Sequence, residues 1–280
     1  MYNKRPFNNN NSNRSFNNSN RGEKKSPYSQ FSHKQAKAQQ ELIFGLRAII
    51  EAIKGGRDFE KVMMRYDLKG DLAIELKDLL KTTSIPLVKI PGEHLDKITK
   101  KNHQGAIGFA SEIKYQNIED IIPMLYDEGK NPLVVVLDSV TDVRNFGAIV
   151  RSAECAGAHA IVVPAKGSAA INADAVKTAA GALDHIPVCR THNLRETLKF
   201  LKDSGLTLFA ATEKADDYYF KKDFTGPVAL VMGSEDVGIA DHNLEVCDES
   251  VKIPMLGNIE SLNVSVATGI FLFEIVKQRN

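Results

Sequence analysis

Three short stretches of this 280-residue chain carry side chains suited to gripping a polar substrate. The first, DSVTDVRNFGAIVR at 138–151, places Asn145 and Arg151 six residues apart. The second, GSEDVG at 233–238, sets Glu235 between two glycines at the end of a very apolar segment, PVALVM. Glycine there lets a ligand lie against backbone amides and carbonyls, and Glu235 can accept from a hydroxyl or an amine. The third, IESLNV at 259–264, puts Ser261 and Asn263 two residues apart, where an apolar loop turns into an apolar helix.

Each stretch also has a plain structural explanation. Ser261 suits the N-cap of a helix over 261–278, with Leu262, Val266, Ile270, Phe271 and Ile275 as its apolar stripe. Asn145 likewise suits an N-cap, Gly147 allows close approach, and Arg151 can pair with Glu154 at i,i+3 for a few tenths of a kcal/mol. A cap does not account for Asn263, which would fall in the first turn, where Asn is a mediocre helix former. Gly233 and Gly238 have the spacing of a phosphate loop, but Ile239 and Ala240 stand where Lys and Ser or Thr are needed, which excludes nucleoside triphosphate binding. No G-x-G-x-x-G follows any apolar run, which removes the dinucleotide fold as well.

The elements that must position these loops follow from periodicity. Residues 41–115 read as helix (LIFGLRAIIEAIK), strand (EKVMMR), helix (LAIELKDLLK), strand (PLVKI), short helix (GEHLDKITK) and strand (AIGFA), a small α/β unit. Residues 116–130 read as a linker with some helix. From 131 to 280 near-continuous apolar strands alternate with helices, beginning at LVVVL, AIVVP and IPVCR and closing on a final helix. That pattern predicts an α/β fold with a parallel sheet covered on both faces, and ligand chemistry at the carboxyl ends of its strands. The three polar stretches all follow strands.

Net charge is only +1, but its distribution is uneven. Residues 1–40 are Asn-rich and hold eight of the 36 basic side chains against one of the 35 acids, leaving 28 basic and 34 acidic in the remainder. So polar a segment cannot offset the entropy of ordering, so disorder is expected; Tyr2, Phe7, Phe16, Tyr28 and Phe31 among its charges suit single-stranded nucleic acid through stacking and phosphate pairing. Cys155, Cys189 and Cys247 are odd in number and far apart, which suits reduced core thiols in the cytoplasm, and no His/Cys spacing offers a metal site. The longest apolar run is too short to cross a bilayer, and the tail lacks a signal core or the apolar face of a transit peptide.

Taken together, LDSVTDVRNFGAIVRSAECAG, LVMGSEDVGI and IPMLGNIESLNVSVATGIFLFE, in this order and on these elements, resemble the three signature motifs of the SpoU (TrmH) family of RNA ribose 2′-O-methyltransferases over residues 131–280. GLRAIIEAI and KNHQGAIGF, within 41–115, resemble the RNA-binding domain that precedes the catalytic domain in bacterial 23S rRNA guanosine-2′-O-methyltransferases. The resemblance implies a SPOUT-type parallel sheet ending in a trefoil knot, a rare exception to unthreaded chains. It implies S-adenosylmethionine bound around Gly233, Ile253 and Leu262, with Thr212, Met232 and Met255 beside them, no metal, and a homodimer. The family's functional side chains fall on Asn145, Arg151, Glu235, Ser261 and Asn263. Arg151 is expected to hold a phosphate and steady a developing alkoxide, since a guanidinium keeps its proton; Glu235 or water takes the proton. Where the family commonly has Asp-Pro before the first Asn, this chain has Asp142-Val143-Arg144, which loosens the loop and adds a cation. A tRNA ribose methyltransferase, or an RNA-binding or ribosome-assembly factor without activity, are the alternatives to a 23S rRNA enzyme.

Because residues 41–280 are net acidic, the basic tail should supply much of the long-range attraction for RNA. Removing residues 1–40 is expected to flatten the slope of log affinity against log salt by roughly 2–3 units, at ~0.7 per phosphate on single strands. KM for RNA rises and kcat stays nearly intact. An unchanged slope would assign the attraction to a local basic patch on the small domain.

Overall fold

The structure, a computed structural model, describes residues 41–280, so the expectations for the tail at 1–40 lie outside the described residues. The first sheet is built from β1 (Leu42–Phe44), β2 (Phe59–Arg65), β3 (Leu87–Ile90) and β4 (Ala106–Ala110), with α1 (Leu46–Lys54), α2 (Asp71–Thr82) and α3 (Gly92–Ile98) between them. Its order is β1-β4-β2-β3, with β4 antiparallel to both neighbours and β2 parallel to β3. Residues 42–44, expected to open a helix, are instead a strand paired Leu42 to Phe109 and Phe44 to Ile107. A short apolar run has no period of its own to tell helix from strand, and Gly45, at φ 90°, cuts it off from α1. Ile49, Phe59, Val62 and Leu76 are fully buried between the sheet and α1 and α2.

Helix α4 (Ile118–Asp127) occupies the expected linker. It does more than connect, for Ile118, Ile121, Ile122 and Leu125 join the core of the larger sheet. That sheet contains β5 (Leu133–Leu137), β6 (Ala160–Pro164), β7 (Val188–Thr191), β8 (Thr207–Ala211), β9 (Asp217–Tyr218), β10 (Val228–Met232) and β11 (Glu249–Lys252). Its helices are α5 (Val143–Cys155), α6 (Ala173–Ala179), α7 (Leu194–Asp203), α8 (Asp241–Leu244) and α9 (Val264–Arg279). All seven strands are parallel, in the order β7-β6-β5-β10-β8-β11-β9.

Strands β5, β6 and β10 are apolar throughout because both faces of the sheet are covered there. Leu133, Val135 and Leu137 of β5 pack with Phe146, Ala175 and Phe271 on one side, while Val134 and Val136 pack with Ile121 and Leu198 on the other. Each such fully buried side chain contributes about 1.5–3 kcal/mol. The C-terminal end of α9 is held by Arg279, whose guanidinium donates to the carbonyls of Asn131, Pro132, Phe224 and Gly226. The buried stripe of α9 is Val264, Thr268, Phe271, Leu272 and Ile275, whereas Val266, expected in it, is 52% exposed.

The small sheet meets the large one through polar groups. Glu60 accepts from Ser111 Oγ (2.7 Å), Tyr115 Oη (2.9 Å) and Ile171 N (3.4 Å). Arg190 donates to the carbonyl of Phe59 (2.8 Å), and its guanidinium lies 3.8 Å above the Tyr115 ring. Burial, followed by the Glu60 charge, pushes the Tyr115 hydroxyl far above its ordinary range.

Within α5, Gly147 lies against α6 so closely that a Cβ would stand 2.7 Å from Thr178 Cβ and 2.8 Å from the carbonyl oxygen of Ala175. Alanine would gain about 1 kcal/mol of helix propensity, but backbone atoms of α6 cannot give way as a flexible side-chain tip can. Gly147→Ala is therefore expected to destabilise by roughly 1–2 kcal/mol net, as overpacking does. The urea midpoint should fall with its slope unchanged; a midpoint at or above the wild type would show that the helices separate freely.

Candidate functional site

Parallel strands put the three polar stretches on one edge of the sheet, since β5 and β10 are neighbours and β11 lies one strand beyond β8. The chain leaves β5 through the buried carboxylate of Asp138 and then Ser139, at φ 62°. Asp138 Oδ2 accepts from Ala240 N (2.8 Å) and Asn243 Nδ2 (2.9 Å), tying the loop after β10 to the end of β5. Sequence reasoning passed over Asp138; an acid ending a fully apolar strand was its signal. Asp142, not Asn145, caps α5, accepting from the amides of Arg144 and Asn145 at 2.8 Å each. Asn145 is thereby left in the first turn with its side chain free for a partner across the edge.

That partner is Glu235. Its Oε1 accepts from Asn145 Nδ2 (3.1 Å), Asn263 Nδ2 (2.7 Å) and Val264 N (3.1 Å), so one carboxylate oxygen joins all three stretches. Asn263, rather than Ser261, is the N-cap of α9, which starts at Val264; the expected helix over 261–278 begins three residues too early. Asn263 Oδ1 accepts from Ser265 N (3.0 Å) while Nδ2 donates both to Glu235 and to Asn145 Oδ1 (2.9 Å). Only an amide supplies a cap acceptor and two donors from so short a side chain; Asp lacks the donors and Ser has one. Ser261 is exposed in the preceding loop.

Arg151 stands apart from this cluster. It is exposed on α5, its guanidinium has no hydrogen bond or ion pair among the described residues, and the pair with Glu154 does not form. Arg144, Ala148 and Arg151 recur at helical spacing, so the two cations share one face of α5.

Beside the cluster, Thr212, Met232, Gly233, Ile253, Met255 and Leu262 line one cleft, with Glu235 and Ser261 on its wall. Three loops meet there, those following β8, β10 and β11. A side chain at Gly233 would collide with the backbone of Gly238 and Ile239, where the loop doubles back through Ser234 N to the Gly238 carbonyl (3.2 Å) and the reverse (3.0 Å). Three carboxylates, Glu213, Glu235 and Glu260, face the cleft against one lysine, Lys252. Apolar walls with surplus negative charge suit a ligand with an apolar body and a positive centre. Among the described residues no group of His, Cys, Asp and Glu could hold a metal ion, and no helix is long and apolar enough to cross a membrane.

A parallel α/β sheet with a polar cluster and an acid-lined cleft at its carboxyl edge places a ligand site where such sheets carry them, and comparison with known proteins gives the chain a family. Residues 132–273 match the SpoU rRNA Methylase family, and residues 42–116 match RNA 2′-O ribose methyltransferase substrate binding. The chain belongs to the SpoU rRNA methylase family. It is 36% identical to the 23S rRNA (guanosine-2′-O-)-methyltransferase RlmB of Escherichia coli over 242 residues, covering 86% of this chain and 99% of that one. The enzyme of the same name from Yersinia pestis is 37% identical over 243 residues, 85% of this chain and 98% of the other. The crystal structure of the SpoU methyltransferase AviRb from Streptomyces viridochromogenes in complex with the cofactor AdoMet aligns with a TM-score of 0.54 and 26% identity, over 85% of this chain and 89% of that one.

The cap assignment predicts a contrast in stability. Asn263→Ala removes the α9 cap and two bonds to the cluster and should cost about 1–2 kcal/mol, a drop of roughly 2–8 °C in melting temperature for a chain of this size. Ser261→Ala should leave the melting temperature within about 1 °C, as exposed substitutions do. The reverse ranking would return the cap to Ser261.

Proposed function

We propose that this protein transfers the methyl group of S-adenosylmethionine to the ribose 2′-hydroxyl of a guanosine in 23S rRNA. The observation that carries the reading is the sharing of Glu235 between the acid-lined cleft and the Asn145–Asn263 cluster, which puts a carboxylate where a donor molecule and an acceptor hydroxyl would meet. Family membership and the names of the relatives support the substrate class.

S-adenosylmethionine would supply, when bound, a methyl group on a positively charged sulfur, which would leave as the neutral thioether as the sulfur–methyl bond breaks. The chain's own residues have the harder part, because a sugar hydroxyl is a weak nucleophile near neutral pH. Glu235 Oε1 is committed to its three N–H donors, which leaves Oε2 as the atom to receive the hydroxyl proton while the new O–CH₃ bond forms. Asn145 and Asn263 hold that carboxylate in a fixed orientation. A guanidinium carries only donors and no acceptor, so the role of Arg151 is to grip a phosphate next to the target ribose and to steady the negative charge growing on the oxygen. Ser261 orders the ribose and the loop, and the backbone around Gly233, Ile253 and Leu262, with Thr212, Met232 and Met255, holds the cofactor. No residue role calls for a metal.

The same reading includes a trefoil knot in the C-terminal part of the larger domain, which spans 131–280, a small RNA-binding domain over 41–115 and a homodimer acting in the cytoplasm. The insertion of β10 between β5 and β8, with α9 returning onto α5, supports the threaded path. The exposed apolar side chains of Leu256 (97%) and Ile259 (76%) in the loop before α9, and of Val266 and Phe273 on it, support self-association.

Labelled S-adenosylmethionine and unmodified 23S rRNA test the reaction directly, and mapping 2′-O-methyl marks in RNA from a deletion strain identifies the nucleotide. Arg151→Ala is expected to lower turnover by 10²-fold or more while cofactor binding by calorimetry stays near wild type. Turnover above about a tenth of wild type would remove Arg151 from the mechanism.

A further inference from the structure

A second cavity, of about 570 Å³, lies between the small sheet and the carboxyl edge of the large one, away from the cleft described above. Its floor is apolar: Leu80 and Ile85 are 3% exposed, and Pro86 and Leu87 continue the surface. Its rim is cationic. Lys77 and Lys81 project from one face of α2, Lys89 from the edge strand β3, and Lys166 and His192 from the loops after β6 and β7. Asp78 is the only acid on the lining and is already paired with Lys81 at 2.7 Å. Lys77, Lys89 and Lys166 have no ion pair among the described residues.

The concentration of charge is out of keeping with its surroundings. Residues 41–280 carry 28 basic and 34 acidic side chains, yet this groove holds four lysines against one aspartate. The unpaired ammonium groups come from three separate segments, α2, β3 and the loop after β6, and so are spread around the cavity. They suit a chain of phosphates, with sugars and base faces resting on Leu80, Ile85, Pro86 and Leu87. The two halves are held together locally, since His192 Nε2 lies 2.6 Å from the carbonyl oxygen of Thr83.

Strand order relates the groove to the catalytic cluster. His192 follows β7 and Lys166 follows β6, while Asn145 follows β5 and Glu235 follows β10, and these four strands are consecutive neighbours in the sheet. At about 4.8 Å per strand the groove lies roughly 10–15 Å from the cluster. A single-stranded segment spans that distance in a few nucleotides, and α5, which carries Asn145 of the cluster, also carries the exposed Arg144 and Arg151.

We infer that this groove seats the sugar-phosphate backbone of a single-stranded RNA segment adjoining the nucleotide that is modified. The inference rests on the RNA substrate of the proposed function and adds the large-domain residues Lys166 and His192 to the substrate surface. Phosphate contacts of this kind fix register without reading sequence, so the groove positions the target and leaves base choice to other contacts.

The test uses the full chain and a fluorescent oligouridylate of about a dozen nucleotides, with affinity measured by anisotropy across a salt series. Combining Lys77→Ala, Lys89→Ala and Lys166→Ala should flatten the slope of log affinity against log salt by about 2, at ~0.7 per phosphate. A control lacking three lysines that already have acidic partners, Lys130→Ala, Lys199→Ala and Lys277→Ala, should keep the wild-type slope. An unchanged slope in the groove variant, or an equal loss in the control, would overturn the assignment and leave the groove to a protein partner or to no ligand. Binding is read without methyl transfer, so a wild-type chain that binds the oligomer through the groove yet leaves 23S rRNA unmethylated would sink the proposed reaction and spare the groove.

Discussion

One carboxylate oxygen holds the candidate site together. Glu235 Oε1 takes N–H groups from Asn145 on α5, from the Asn263 side chain and from the first-turn amide of α9, segments separated by 90 and 28 residues along the chain from Glu235. A negative charge at a helix N-terminus is favourable in its own right, and hydrogen bonds to a charged acceptor are stronger than neutral ones, about 1.5–3 kcal/mol where shielded from water. Solvent reaches Glu235, so the energy here lies below that range; the gain is in geometry. Removing the carboxylate would leave two amides and a helix end without a common partner.

The surrounding fold exists to bring these donors within reach. Parallel pairing sends β5, β10 and β11 out at the same edge, and the two-sided burial of the apolar side chains of β5 and β10 fixes the middle of that edge. Asp138 adds a buried clamp on the loop that carries Glu235, and Arg279, at the far end of α9, ties the helix to four backbone carbonyls. Gly147 lets α6 press against α5 at backbone distance, which sets where Asn145 stands. None of these three residues needs to touch a substrate to matter for the chemistry.

Charge is divided between two regions with different tasks. The cleft collects carboxylates and suits a cationic cofactor, while cations gather on α5 and in the groove between the sheets, where a polyanion would lie. Keeping the two apart within one sheet edge lets the chain hold a positive donor and a negative acceptor with little cross-repulsion, even though the described part has more acids than bases.

Element types were legible in the sequence because burial writes a local pattern: unbroken apolar runs for strands covered on both faces, 3.6-residue spacing for α1, α2 and α7. The residue types of the site were legible too, since Asn145, Glu235, Ser261 and Asn263 stood out as polar residues at apolar junctions, and the three motifs named the family. What local pattern could not supply was partnership. Four residues could have capped α5 or α9, and the choice of Asp142 over Asn145, and of Asn263 over Ser261, goes with the bonds that Glu235 draws from Asn145 and Asn263 across the sheet. Residues 42–44 became a strand because β4 offers an open edge, and Arg151 lacks Glu154 because no distance along a helix obliges two exposed charges to meet. Sequence determined which residues are polar, apolar or able to turn; tertiary structure alone decided which of them share a hydrogen bond, because that depends on strand order, and strand order is set by burial summed over the whole sheet.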